Sequence, residues 1–231
     1  MDSIKNIKSI SIWIFIIPFL AVNLCLILTT QFHSLELIEG KYRIFSTFPY
    51  LDGGVSISRT ARYYPSYLIF KPAMFLTSFL LIKYWLYNAR VVQYFEKDHK
   101  YKKKILFFGI ASAVALTIHS IFLGIKFDND LYKLFRRVIM LLFIIFEVTA
   151  QAYLVAAFYS FKNKLSPYIN IKILKAKLIL VSLLVVIAII CVPIISWPGD
   201  KFKFLKHLLE WDYFLGVITF YLLTFFMWKK R

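Results

Sequence analysis

Two residues stand out for chemistry in this 231-residue chain, Glu147 and His119, because each falls inside a long apolar run. An unpaired ionisable group in hydrocarbon is expensive, so a carboxylate or imidazole in such a place is a functional candidate by default. Gln151 follows Glu147 at i+4 and shares its helical face. His119 sits six residues before the end of its run at Ile125, roughly 9 Å deep at 1.5 Å per residue. Short chain joins the two runs, so they pack as antiparallel neighbours and both side chains can face one interior surface. One reading is a general acid/base pair, or a polar cradle for a headgroup. The plainer alternative is that Glu147 bonds a hydroxyl of a neighbouring helix and His119 packs near the membrane surface.

A second group lies in the longest polar stretch, Thr47 to Pro72, which carries Asp52, Arg59, Arg62 and Lys71. Arg59 and Arg62 are three residues apart, and a guanidinium pair with a nearby ammonium suits a phosphate through charge-assisted hydrogen bonds. The same cations could equally be lying along an ordinary membrane interface with their charges in water. Gly53-Gly54 after Asp52 is turn chemistry, since glycine accepts positive φ and aspartate bonds its own downstream backbone. Neither GxGxxG nor GxxxxGK[ST] occurs, and GxSxG and HExxH are also missing. The histidines at 33, 99, 119 and 207 are too scattered for a metal cluster, so no metal and no cofactor is expected. Any catalytic site must be assembled across helices.

The positioning elements follow from composition. Apolar residues are 60% of the chain and charged ones 18%, the mix of a polytopic membrane protein. The net charge of +17 comes as short clusters between apolar runs; with no reading motif for nucleic acid, none is expected as a partner. A helical span needs about 20 mostly apolar residues. Six stretches qualify, at about 10–30, 72–88, 105–125, 138–161, 177–197 and 208–228, with a long connection over 31–71. The first, preceded by Lys5 and Lys8, reads as a retained signal anchor, being too long for a cleaved leader and lacking a cleavage site. Cys25 and Cys191 both fall in apolar runs and imply no disulfide framework.

Lysine and arginine are retained on the cytoplasmic side of short loops. Arg90, Lys97, Lys100 and Lys102 to Lys104 lie in one connection against Glu96 and Asp98, and Lys162, Lys164, Lys172, Lys175 and Lys177 in another with no acid at all. The chain ends Lys229-Lys230-Arg231. The opposite connections carry mixed charge: Glu36, Glu39 and Asp52, then Asp128 and Asp130, then Asp200, Glu210 and Asp212. Both termini are therefore expected in the cytoplasm. Trp and Tyr at the run ends fit headgroup-level anchoring. The expected fold is all-α, a single membrane domain in the form of a six-helix bundle.

Phe48-Pro-Tyr-Leu-Asp-Gly-Gly resembles the first-loop signature Pro-Tyr-Ile-Ser-Asp-x-Gly of the FRAG/DRAM/SFK family, although the serine is absent here. Leu209-Glu-Trp, opening the last apolar run, is similar to the closing Glu-Trp segment of that family. The resemblance covers the whole chain and implies six spans with cytoplasmic ends. It also implies a secretory-pathway or other endomembrane protein, of the Golgi or endoplasmic reticulum, akin to GPI-anchor lipid-remodelling factors. Such a protein would engage a membrane lipid or glycolipid on the lumenal side near Pro49, Tyr50, Asp52, Gly53 and Glu210, with Trp211 a residue of the closing motif. A non-enzymatic organiser of the DRAM or SFK kind is the alternative, and a small transporter a third class.

Overall fold

A computed structural model describes residues 2–30, 47–125, 129–196 and 202–229. Glu36, Glu39, Asp128 and Asp200, named above as outer acids, and His33 lie outside these residues, as does Trp197 at the end of the fifth apolar run. Six long helices carry the fold: α1 (Asp2–Thr30), α4 (Ser66–Phe95), α5 (Lys102–Phe122), α6 (Asp130–Ser160), α8 (Ile171–Ser196) and α9 (Lys203–Met227). Three single-turn helices complete the set among the described residues: α2 (Pro49–Asp52), α3 (Ile57–Thr60) and α7 (Lys162–Leu165). No strand occurs among them, only an isolated bridge between Ile169 and Trp228. All six long helices are long and apolar enough to cross a membrane.

Each long helix starts before the apolar run that announced it. Helix α4 begins at Ser66, so Pro72, taken above as a span start, lies inside it. A proline there removes one backbone donor but is tolerated where neighbours pack around the helix. Helix α6 begins at Asp130 behind an N-cap, the Asn129 side chain accepting from the Leu131 amide at 2.9 Å. The polar turn Asp130 to Arg137 is therefore helical, although its composition reads as a connection.

The helices form a closed ring. Helix α1 packs on α4, α4 on α5, α5 on α6, α6 on α8, α8 on α9, and α9 returns to α1. Closure buries Tyr84, Trp85, Phe158, Phe220 and Tyr221. Large apolar side chains such as Trp13, Leu20, Phe75, Phe79, Phe107, Ile179 and Ile189 stay exposed around the outside. In water that arrangement would be costly, and in lipid it is the expected one. Gly109 sets the α4–α5 approach, since a Cβ there would run into the Trp85 ring.

Hydrogen bonds fix which segments share an end. The Lys8 ammonium donates to the Trp228 carbonyl at 2.7 Å, joining the start of the chain to its finish. His99, between α4 and α5, bonds Ser160 at 3.0 Å, and the Lys229 amide donates to the Tyr168 carbonyl at 3.0 Å. Both chain ends and the two lysine-rich connections thus meet at one end of the bundle. The stretch from Thr47 to Pro65 covers the other.

Lys177 departs from the sequence reading. Counted above among solvated loop cations, it is 0% exposed within α8. Its ammonium donates to Thr224 Oγ1 at 2.7 Å and lies 3.8 Å from the centroid of the Phe220 ring. Helix α8 starts six residues earlier than the predicted span, at Ile171, which carries Lys177 more than a turn into the bundle.

Candidate functional site

Glu147 lies on α6, 1% exposed, at the centre of a polar node that joins three helices. Ser112 on α5 donates its hydroxyl to Oε2 at 2.6 Å, and Gln151 one turn along α6 donates to Oε1 at 3.0 Å. Tyr221 on α9 donates its phenol to Oε1. Gln151 also donates to the Val217 carbonyl at 3.3 Å, tying the node to α9 twice. The Trp85 indole N–H stands beside the same carboxylate but makes no hydrogen bond of ordinary geometry. Every bond to Glu147 comes from a group that is itself buried, so the node is sealed from solvent.

The node continues toward the end that holds the chain termini. The Tyr84 ring meets the Tyr221 ring edge-on at 4.9 Å, and the Tyr84 hydroxyl pairs with Thr224 at 3.2 Å. Thr224 in turn accepts from Lys177. An acid and a base are thus held in one core, bridged by two tyrosines and a threonine rather than by an ion pair.

No hydrogen bond joins His119 to Glu147 among the described residues. His119 lies nearer the opposite end of α5, with Nδ1 buried and unpartnered and Arg136 as the charge that acts on it. The pairing weighed from sequence therefore divides into two places, a sealed interior and a cationic end.

That end is built by the stretch 47–65, which folds as a strap. Pro49 occupies the first turn of α2, where its fixed φ suits a helix start. Gly53 closes that turn at φ 62, a region L side chains avoid, and a Cβ there would strike the Phe204 carbonyl. Asp52 accepts from the Phe48 amide at 2.9 Å, from the Gly54 amide at 2.8 Å and from the Thr47 hydroxyl. Desolvation alone would push its carboxyl up, but it is slight at this exposed position, and the three donors hold the group below the usual carboxylate range. The bonds of Asp52 go to its own turn.

The strap is pinned to α9 and α1. Trp211 donates its indole N–H to the Val55 carbonyl at 2.7 Å, and His207 Nδ1 bonds the Gly53 carbonyl at 2.9 Å. Tyr50 packs edge-on against Trp211 at 4.9 Å and donates to Asn23 of α1 at 3.2 Å. Burial, the larger influence, pushes the Tyr50 phenol up, with Asp212 adding to it against the opposing hydrogen bond to Asn23. Glu210 caps α3 by accepting from the amides of Ile57 and Ser58. The residues named from the family-like segments, Pro49, Tyr50, Gly53, Glu210 and Trp211, accordingly converge on one joint.

The cations lie beyond that joint. Lys71 donates to the Ile121 carbonyl at 3.2 Å, at the C-terminal end of α5, where a positive charge is favoured. Arg59 lies on α3, and Arg62 follows it against the turn after α5, its carbonyl 2.9 Å from where a Cβ of Gly124 would stand. Arg136, on the first turns of α6, acts electrostatically on both Arg62 and His119. Its guanidinium stacks near Tyr132 at 5.9 Å. Arg136 was missed from sequence because Arg136-Arg137 abuts an apolar run and reads as a boundary. Its only early signal was the lack of an acid three or four residues away, where Tyr132 and Met140 stand. Ser112 and Tyr221 gave no signal at all, being ordinary residues of apolar helices. Among the described residues no cluster of His, Cys, Asp and Glu could hold a metal.

A ring of six apolar helices, strapped at one end by a docked loop and polar at its centre, defines a multi-pass α-helical membrane protein. The chain belongs to the Frag1/DRAM/Sfk1/Cwh43P family, whose model, described as the Frag1/DRAM/Sfk1/Cwh43P N-terminal domain, matches residues 6–228. No curated protein and no solved structure matches the chain significantly.

Proposed function

We propose that the strapped end engages the headgroup of a glycolipid or phospholipid on the lumenal side of an endomembrane, in work of the GPI-anchor lipid-remodelling type. The observation that carries this reading is the strap itself. Docking on α9 through Trp211 and His207 brings Arg59 and Arg62 to the end of the bundle that also holds Lys71, Arg136 and His119. Phe48 and Leu51 stand on the strap 58% and 78% exposed, which suits contact with lipid. The lumenal assignment rests on the lysine-rich connections and termini gathered at the opposite end. Deleting the protein and profiling the lipid moieties of anchored surface proteins by mass spectrometry tests the proposal. A changed lipid profile is expected, and an unchanged one would overturn it.

One observation favours the second reading, a membrane organiser that binds without reacting. Both oxygens of Glu147 are engaged by buried partners, so this carboxylate has no open path to a substrate. A cell carrying only Glu147→Gln with normal lipid profiles, beside an altered profile in the deletion, would remove Glu147 from any chemistry while leaving the headgroup role intact.

A further inference from the structure

Several places in the molecule hold polar groups that the proposed function does not use. In the interior node Gln151 Oε1 and the Trp85 N–H lack hydrogen bonds among the described residues, but both oxygens of Glu147 are engaged within it, and Lys177 has its hydroxyl and ring partners. The cationic end differs. Arg62 Nε, Arg136 Nε and His119 Nδ1 are each buried, and each lacks a hydrogen-bond partner among the described residues. They come from three separate elements: the strap, the first turns of α6 and the last turns of α5. The end of α5 gathers them: His119 lies in its last turn, Arg62 Cγ stands 3.9 Å from where a Cβ of Gly124 would be, and Arg136 lies over the ring of Tyr132, whose hydroxyl donates to the Phe122 carbonyl.

Holding two guanidiniums near each other is unfavourable, and leaving buried N–H groups unmade adds the desolvation cost of each. The described acid that acts on Arg62 is Glu210, whose carboxylate is already taken by the amides of Ile57 and Ser58. Stacking on Tyr132 offsets part of the cost for Arg136. It satisfies no N–H. A bound oxyanion would supply both missing terms at once, since it neutralises like charges and accepts several donors.

We infer that Arg62, Arg136 and His119 form a binding site for a phosphate group. Arginine suits this because its planar fork pairs with two phosphate oxygens together, and a third donor from an imidazole reaches the remaining one. The site rests on the headgroup reading for the source of its ligand: the phosphate of a lipid headgroup, entering from the bilayer surface beside the strap. Arg136 is its newly assigned member, and Arg137, exposed and one residue on, serves as an internal control.

The test uses the purified full chain in detergent, with thermal unfolding followed during titration by dioctanoyl phosphatidic acid, dioctanoylglycerol or inorganic phosphate. The wild-type protein and Arg137→Gln should be stabilised by the phosphatidic acid and not by the phosphate-free dioctanoylglycerol. Arg62→Gln and Arg136→Gln should bind about tenfold more weakly, the loss of one charge-assisted bond pair. Arg136→Lys keeps the charge and lacks the fork, so it should also weaken binding if the glutamine variants do not fold. Undiminished affinity in Arg136→Lys and Arg136→Gln, equal weakening by Arg137→Gln, or equal stabilisation by dioctanoylglycerol would overturn the site. Stabilisation by inorganic phosphate without any by the phospholipid would uphold the anion site and overturn the headgroup reading.

Discussion

The Trp211 indole donates to the Val55 carbonyl at 2.7 Å across 156 positions of sequence. With the His207 and Tyr50 contacts, this bond holds the strap that carries Arg59 and Arg62 against α9 and α1. Trp211 is fully buried, so the bond is formed away from competing water.

Trp211→Phe keeps most of the packing against Tyr50 but leaves the Val55 carbonyl unpaired. A loss of about 1–3 kcal/mol is expected for a buried bond with one partner removed. Protease cleavage within 47–65 should quicken in the variant while the long helices stay resistant. Unchanged cleavage would mean that His207 and Tyr50 hold the strap without Trp211.

Gly53→Ala places a Cβ against the Phe204 carbonyl at a positive φ. About 1–2 kcal/mol of backbone strain is expected, with steric displacement of α9 from the strap in addition. The same cleavage assay should show Gly53→Ala at least as susceptible as Trp211→Phe.

Ser112→Ala and Tyr221→Phe each remove one donor from Glu147. Removing both should cost less or more than the sum of the singles, with a coupling of about 0.5–3 kcal/mol, because they share one carboxylate. Glu147→Ala, which strands Ser112, Tyr221 and Gln151 together, should destabilise more than Glu147→Gln. Thermal unfolding in detergent measures all five variants.

Lys177→Met replaces a buried ammonium by an apolar chain of similar length, a change often neutral or stabilising. Thr224→Val in the wild type strands that ammonium and should destabilise by roughly 1–3 kcal/mol. In the Lys177→Met background the same Thr224→Val change should cost less. Equal costs in the two backgrounds would show that Lys177 draws nothing from Thr224.

Asp52 makes the strap sensitive to acid. Its carboxyl is held below the ordinary value of 3.8 in the folded protein, so its stabilising contribution is complete above that value. The contribution disappears as pH falls through the lower folded value. Exposure at Asp52 screens the effect and keeps it small. Trp211 fluorescence between about pH 5 and pH 2 should report loosening of the strap in the wild type. Asp52→Asn should lack that step.

The sequence alone determined the six spans, because about 20 apolar residues in a row have few other uses. It also determined the family, through Pro49, Tyr50, Asp52, Gly53 and the Glu210-Trp211 pair, which the matching of residues 6–228 establishes. Local chemistry was legible too: a proline start, a glycine stop and an aspartate that bonds its own turn. What only the tertiary structure decided were partners across helices. Ser112 and Tyr221 meet Glu147 from 35 and 74 positions away, the first brought there by packing of α5 on α6 and the second by the return of α9 to α6 beside α8. Lys177 looked like a loop cation because charge marks a boundary in composition, while the helix phase that turns it inward is set by packing. His119 and Glu147 read as a pair by proximity of their runs, yet Glu147 takes its partners from Ser112, Gln151 and Tyr221, while His119 lies in the last turn of α5. Hydropathy reports how long a span is; the rotation of each helix about its own axis follows from the neighbours it packs against.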